Sequence, residues 1–596
     1  MAISRTRKTI LIITRILVAL VLVALLGFAL LLAAFRQRSP NIRDNSVLVL
    51  RVAGPLPDYV PDDPLRKFLG GSDESLTNLV LQFRKAKGDK RIKAIVLDIN
   101  MSGAGWAKAE EIRDAITDFR FSGKQVYAYM ELGMNKEYYI ASACDRIYLA
   151  PPGELFIHGL AANVMFFRGS LDKLGVYPDM YQIGKYKSVG DTFTRKEMSE
   201  AHREFINSLL DDLFTRYVEA IAKARGKTPE EVRAIVDDSP YSALKAKEAG
   251  LIESASYRDE LNKEIKSKLG YKDSDELRLV RGSEYRQVTP ESLGLNKGER
   301  IAVIYATGDI GSGKSETSPT GDQSIGSDTL AKALSDARDD KTIKAIVLRV
   351  DSPGGSGLAS DIIWHAVEGA KQKKPVVVSM ADVAASGGYY ISASANRIIA
   401  QPSTITGSIG VVGGKPVMRG FYDWIGISNE YVLRGKNAGM FRETEKFTPD
   451  ERAKFEEWIK TTYYNDFVPK VANGRGKDAA YIDSVGQGRV WTGYQGKQKG
   501  LVDEFGGLDR AIAIAKQLAN LPADKEVHRV ILPYPQTFLQ QLLSPGDNTS
   551  TERQQQRAVF TALPEDARRA LRYMKLLDQM KSGQAMLLMP FELRIR

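Results

Sequence analysis

The sequence predicts an α/β protein made of two tandem copies of one domain, preceded by one membrane-spanning helix. Three observations carry this reading. Laid on itself at an offset of about 251, the 596-residue chain repeats six separate landmarks, among them residues 93–97 against 344–348 and 138–140 against 389–391. Each copy alternates β-branched runs with helical periodicities, the pattern of parallel strands joined by helical crossovers. Residues 16–35 form twenty apolar positions without a charge, enough to cross a bilayer as a helix.

Taken in order, residues 1–15 carry Arg5, Arg7, Lys8 and Arg15, which predicts a cytoplasmic N-terminus ahead of the anchor at 16–35. The expected topology is single-pass, with everything after Phe35 outside the cytoplasm and the lipid bilayer as a partner. The first copy spans 46–290 and the second 299–535. In the second copy the strand 301–306 is followed by a helix around 330–338, the strand 345–350, the helix 358–371 and the strand 375–379. Amphipathic helices at 205–224 and 455–472 follow the core of each copy. Residues 536–596 read as a polar linker and a basic surface helix near 564–577.

Composition narrows the function classes. The net charge of +11 is spread along the chain without a basic stripe, so nucleic-acid binding is not read from it. A lone cysteine, Cys144, has no partner for a disulfide or a metal site, and its small-residue neighbours point to buried packing. The four histidines lack the spacing of a zinc protease, so no metal or cofactor is expected.

The stretch 380–390 is read as a strand, a tight turn at Ser386-Gly387-Gly388 and a helix start. A serine there lies beside N–H groups with no intrahelical acceptor, where an oxyanion can be stabilised. Comparing the copies adds to this. Asn135 stands where the second copy has Ser386, and Ala438 stands where the first has Lys187. The Ser352-Pro353-Gly354-Gly355 turn corresponds to a degraded Met101-Ser102-Gly103-Ala104. Each half has lost what the other kept, which suggests one composite site with serine and glycine turn from the second copy and amine from the first. A serine hydroxyl needs a base, and a lysine serves only when burial lowers its pKa.

At residues 349–356, 384–389, 406–410 and 184–188 the sequence resembles the large, duplicated type of bacterial signal peptide peptidase A, also called protease IV. The resemblance runs from the anchor to about residue 535. It implies two ClpP/crotonase-like domains and a Ser/Lys-dyad serine endopeptidase of the bacterial inner membrane, its catalytic part periplasmic, that degrades signal peptides after secretion. The matched positions make Ser386 the nucleophile, Lys187 the general base, Ser408 the group that orients the lysine, and Gly354 and Gly387 the oxyanion donors. The resemblance also implies a homo-oligomeric ring, a tetramer, acting on signal peptides and other extended apolar peptides.

Alternatives stay open at this point. Lys185 could replace Lys187, His158 could complete a Ser/His pair, Ser408 competes for the nucleophile role, and Asp351 reads as the cap of its turn. The residues at 389–390 and 409–412 are candidate pocket linings. A general membrane-proximal quality-control protease, a crotonase-like acyl-CoA enzyme and a catalytically dead scaffold are the rival functions.

Overall fold

In each half, runs of aliphatic and β-branched residues form parallel strands whose two faces are both covered. The computed structural model describes residues 42–60, 74–316, 323–533 and 585–589, with Arg15, Val18, Ala19 and Val23 as isolated positions. The first half contributes β1 (Ser46–Gly54), α1 (Leu76–Gly88), β2 (Ile92–Ser102), α2 (Trp106–Arg120), β3 (Gln125–Met134), α3 (Asn135–Ala141), β4 (Arg146–Phe156), β5 (Tyr177–Ile183), α4 (Glu200–Arg225), β6 (Tyr241–Ser242), β7 (Ser254–Ala255) and β8 (Leu279–Arg281). Its sheet has the order β6-β4-β3-β2-β1-β8, with β7 beside β4. Strands β1 to β4 pair in parallel.

The second half repeats this plan. It contributes β9 (Arg300–Thr307), β10 (Asp309–Gly311), β11 (Ser324–Gly326), α5 (Ser327–Asp339), β12 (Ile343–Ser352), β13 (Gly354–Ser356), α6 (Gly357–Lys371), β14 (Val376–Ala385), α7 (Gly387–Ser392), β15 (Arg397–Ala400), β16 (Ile405–Gly407) and β17 (Val411–Val417). There follow α8 (Pro449–Thr461), α9 (Val468–Arg475), β18 (Val490–Thr492), β19 (Glu504–Phe505), α10 (Leu508–Leu518) and β20 (His528–Leu532). Its sheet runs β18-β16-β14-β12-β9-β20. Strands β3 and β14 lie 251 residues apart, as do β8 and the last three residues of β20. Nearly all of β14 is buried, which is why it reads as an apolar run without alternation. The amphipathic run 455–472 is broken: a π-helical turn, Thr462–Phe467, separates α8 from α9. That turn aims Tyr463 at the site described below.

A third sheet joins the copies. Its order is β11-β10-β13-β21-β17-β5, where β21 (Met586–Leu588) comes from far along the chain. Strand β5 of the first copy pairs antiparallel with β17 of the second, from Ile183 opposite Val411 to Tyr177 opposite Val417. This seam crosses from one copy to the other by backbone hydrogen bonds.

Charges hold the copies together elsewhere. The carboxylate of Asp382 in β14 accepts the N–H groups of Gly105 and Lys108 at 3.1 and 3.0 Å, capping α2 of the other copy. Farther along α2, Glu110 accepts the Ser403 N–H and hydroxyl, and Asp114 accepts the Gln401 amide. Arg349, buried in β12, lies 2.8 Å from Asp58 and 2.6 Å from Glu111, both of the first copy. Burial would raise the Asp58 carboxyl, but Arg349 and Lys108 outweigh it and hold the group below its ordinary value. At Glu111 burial wins, and its pKa rises to about 7.

One expectation needs correction, and another falls outside the described residues. A helix that spans the roughly 30 Å hydrocarbon core needs about twenty apolar residues in a row, and no described helix is long and apolar enough. The longest, α4, has the length but carries Glu200, Arg203, Glu204, Asp211, Asp212, Arg216 and Glu219. The segment 16–35 lies outside the described residues except for Val18, Ala19 and Val23. The membrane anchor, the single-pass topology with its cytoplasmic and periplasmic sides, the inner-membrane localisation and the bilayer as partner are therefore withdrawn. The linker and basic helix expected within 536–596 also lie outside the described residues, apart from 585–589, which contain a strand and not a surface segment.

The interface yields a stability prediction. Arg349→Met takes the cation from buried Glu111 and leaves buried Asp58 with Lys108 alone, 3.9 Å away, a broken buried pair that costs roughly 3–5 kcal/mol. Thermal melting should show a drop of several degrees, with Arg349→Lys recovering only part of it. An unchanged melting curve would mean that the cluster does not hold the copies together.

Candidate active site

Strand β14 delivers Ser386 to its C-terminal end, and the chain turns there into α7. The turn is tight because no side chain fits beyond it. A Cβ on Gly387 would stand 2.7 Å from Ser360 Oγ and 3.0 Å from the Gly354 Cα, and one on Gly388 would stand 2.6 Å from the Ser352 carbonyl. Ser386 itself has φ +54° and ψ −112°, a conformation rarely adopted by a residue with a side chain. It is held by its N–H donating to the Gly407 carbonyl at 2.8 Å and its carbonyl accepting the Tyr390 N–H at 2.8 Å. Ser408 is also left-handed, at φ +51°.

Lys187 arrives from the other copy. It follows β5, and because β5 is zipped to β17, the residue lands beside the Ser408–Gly410 segment that leads into β17. Its Nζ lies 2.7 Å from Ser386 Oγ, 3.0 Å from Ser408 Oγ and 3.0 Å from the Ser408 carbonyl. All three residues have 0% exposure. Desolvation by burial pushes the lysine pKa well below 10.5, and no described carboxylate offsets it. The pair forms within one chain.

The Ser352–Gly355 turn lies alongside. Gly354 and Gly355 have φ +108° and +155°. The Gly354 N–H donates to Ser352 Oγ at 3.2 Å, so in this state it points into its own turn. Gly387 opens α7 and presents one of the N–H groups that a helix start leaves without an intrahelical acceptor. Asp351 does not cap its turn. Its carboxylate meets Lys108 Nζ at 2.8 Å and accepts the Val383 N–H at 3.1 Å, with burial raising its pKa to about 6. Lys108 also lies 3.5 Å from Asp382. Burial would lower the Lys108 pKa, but Asp351, Asp58 and Asp382 together raise it. One lysine of the first copy thus tethers both strands that carry the second copy's site residues.

The remaining candidates fall elsewhere. Lys185 points outward with 65% of its side chain exposed, beside Glu204. His158 is exposed. Asn135 is buried with its amide donating to the Gly159 carbonyl at 2.8 Å, and Ala438 is exposed in a loop. Tyr389 and Tyr390 turn into the core, their hydroxyls donating to the Leu501 carbonyl and Asp361. Cys144 is buried.

One part of the site was missed in the sequence: the loop 486–489. Tyr186 donates its N–H to the Gln487 carbonyl, Ser408 its N–H to the Arg489 carbonyl, and Gly488 its N–H to the Ile409 carbonyl, at 2.8, 2.7 and 2.6 Å. The loop therefore grips the lysine segment and the serine segment together. Gly488, at φ +74°, packs so closely that a Cβ would stand 2.5 Å from that of Lys187. Tyr463, aimed by the π-helical turn, accepts the Gln487 N–H at 3.2 Å. The available signal was Gly486 and Gly488 standing where the first copy has Val236 and Asp238.

Comparison with known proteins identifies the family. The chain is 38% identical over 505 residues to "Serine protease SPPA, chloroplastic" of Arabidopsis thaliana, covering 85% of this chain and 74% of that protein. It is 36% identical to "Protease 4" of Salmonella typhi over 76% of this chain and 75% of the relative. To "Protease 4" of Haemophilus influenzae it is 33% identical over 85% of each. Peptidase family S49 matches twice, at residues 118–272 and 368–522, once in each copy. The chain belongs to peptidase family S49 and is a serine peptidase.

Proposed function

We propose that Ser386 is the nucleophile and Lys187 the general base of a Ser/Lys dyad that hydrolyses extended apolar peptides, including cleaved signal peptides. The observation that carries this is the 2.7 Å approach of a fully buried amine to a fully buried serine hydroxyl. A neutral amine has two N–H groups and one lone pair. Three oxygens surround Nζ, which suits donation to the Ser408 carbonyl and hydroxyl while the lone pair accepts from Ser386. Ser408 then acts by orienting the lysine.

In this reading Ser386 Oγ bonds to the peptide carbonyl carbon as its proton moves to Lys187 Nζ. The oxyanion is met by the Gly387 N–H and, once turned from Ser352 Oγ, that of Gly354. The ammonium returns the proton to the leaving amine as the C–N bond breaks, and water cleaves the acyl-enzyme by the same route. Val412 and its neighbours in β17 supply an apolar wall for the substrate.

The assembly we propose is a ring of copies, a tetramer by the family resemblance. In the first copy β5 pairs with β17, whereas the equivalent stretch of the second copy, 428–434, forms no strand. Around it Trp424 is 71% and Val432 85% exposed. The stretch equivalent to β17, 160–166, likewise forms no extended strand. Pairing 428–434 of one chain with 160–166 of the next repeats the internal seam head to tail, a contact that closes into a ring.

Three outcomes are expected. Ser386→Ala should lower turnover by roughly 10⁶-fold, and Lys187→Arg should be as damaging as Lys187→Met, because arginine keeps its proton. Peptide hydrolysis with a fluorophosphonate labelling control measures both; near-normal activity in the arginine variant would remove the dyad.

The second outcome concerns pH. Only the neutral amine is a base, so kcat/KM should rise with pH through a midpoint well below 10.5 and then level off. Between that midpoint and 10.5 the folded chain binds one proton fewer here than the unfolded chain, so the burial cost falls as pH rises. A limb centred near 10 would show an ordinary, solvated lysine.

The third is the mass in solution. Light scattering should report a ring, and Val432→Asp should dissociate it; a fully active wild-type monomer would end the ring reading.

A further inference from the structure

Two glycines of the second copy close over Lys187. Gly488 lies against its backbone, where a Cβ would stand 2.5 Å from the Lys187 nitrogen, and Gly410 lies against its stem, where a Cβ would stand 3.0 Å from Lys187 Cδ. A loop 486–489 that drifted outward would open this seal to water. The outer side of that loop carries a cluster of charged and aromatic side chains. The Arg489 guanidinium lies 4.7 Å from the Tyr186 ring and 4.5 Å from the Trp491 ring, within cation–π range of both. Arg489 also donates to Glu204 Oε1 at 2.5 Å. The Tyr186 hydroxyl donates to both Glu204 oxygens at 3.1 Å, and Lys185 Nζ stands 3.8 Å away. Glu204 therefore meets the residue just before the lysine and the residue whose carbonyl accepts the Ser408 N–H. Arg489, Tyr186 and Lys185 are the charged and titratable groups that face it; they hold its carboxyl below the ordinary value, Arg489 most of all, so it is ionised at neutral pH.

Helix α4 places this carboxylate. Glu204, Ser208, Asp212 and Arg216 recur every four residues and share one face. That face meets the second copy along its length. Ser208 Oγ accepts the Gln495 amide at 3.0 Å, Asp212 accepts the Thr492 hydroxyl, and Arg216 lies over the Tyr494 ring. Glu204 is the N-terminal member of the row, the one that reaches the loop. Phe205 turns inward, meeting the Tyr186 ring edge-on and packing with Ile405, Val490 and Ala385, the residue before Ser386. The arrangement is not repeated in the other copies' combination: the α8 residues corresponding to Glu204, Ala453 to Phe455, include no acid, and Ser239 stands in the place of Arg489.

We infer that Glu204 is a positioning residue for the dyad: a latch that clamps the 184–188 segment of the first copy to the 486–489 loop of the second and so keeps water from Lys187. This rests on the reading of Ser386 and Lys187 given above. An exposed ion pair adds little to global stability, so the latch acts on the base and not on the fold. The sign of its effect separates it from a direct electrostatic role. Taking an anion from the neighbourhood of an amine lowers the amine's pKa, whereas admitting water to a buried amine raises it toward 10.5.

Glu204→Ala removes every acceptor of the latch at an exposed helical position, where alanine is favourable. The midpoint of the kcat/KM–pH limb should rise by about one pH unit, roughly a tenfold loss of kcat/KM at any pH below it. Glu204→Gln keeps one carbonyl oxygen as an acceptor and should fall in between. Amide hydrogen exchange on the full chain, read by mass spectrometry, should speed up at 184–190 and 486–490 while β12 and β14 stay as protected as before. A midpoint that stays or falls in Glu204→Ala overturns the inference, as does exchange that is unchanged at both segments or faster in β12 and β14 as well. If the wild-type chain shows no such limb, exchange at the two segments decides the latch, and the assignment of Lys187 as base is what fails.

Discussion

The proposed chemistry depends on keeping one amine dry. A lysine is a base near neutral pH only if its proton is made expensive, and at Lys187 no charge contributes: burial alone does it. Its partners are two hydroxyls and a carbonyl, all neutral. Such a site cannot be built on an exposed loop. It needs a seam where backbone from two directions closes over the side chain, and the pairing of β5 with β17 is that seam.

The duplication explains why the seam exists. The first copy supplies the strand that reaches across, β5, and the second supplies the strand that receives it, β17. Within the chain the first copy reaches into the second, so the lysine that travels on β5 meets the serine that ends β14. In the other direction no strand pairing closes the contact among the described residues, and Asn135, in the place of the serine, is a buried amide bonded to its own copy. The complementary loss follows from geometry, since only one of the two possible seams inside a two-copy chain can be completed.

Both sides of the site are also fastened from a distance. Lys108 holds Asp351, just before the glycine turn, and lies near Asp382 on the strand leading to Ser386, while Arg349 ties β12 to Asp58 and Glu111. These are buried charges, costly unless paired, and each pairing crosses between copies. The strain at Ser386 and Ser408, both at positive φ, is sustained by surroundings that leave those segments no other path.

The sequence by itself determined the duplication, the α/β class, and the identity of the two residues that meet, because repeats, hydrophobic runs and glycine turns are local properties that survive without coordinates. Ser386 and Lys187 stood out because each copy lacks what the other has. Tertiary structure alone decided the rest. The loop 486–489 grips both segments through backbone atoms, which leave little mark on residue type beyond two glycines. Tyr389 and Tyr390 looked like pocket walls but are core residues, since the short α7 buries its aromatic face. The place of 585–589 between β13 and β17 could not be read at all: a strand that joins edges far back along the chain is specified by those edges, which exist only once the chain has folded.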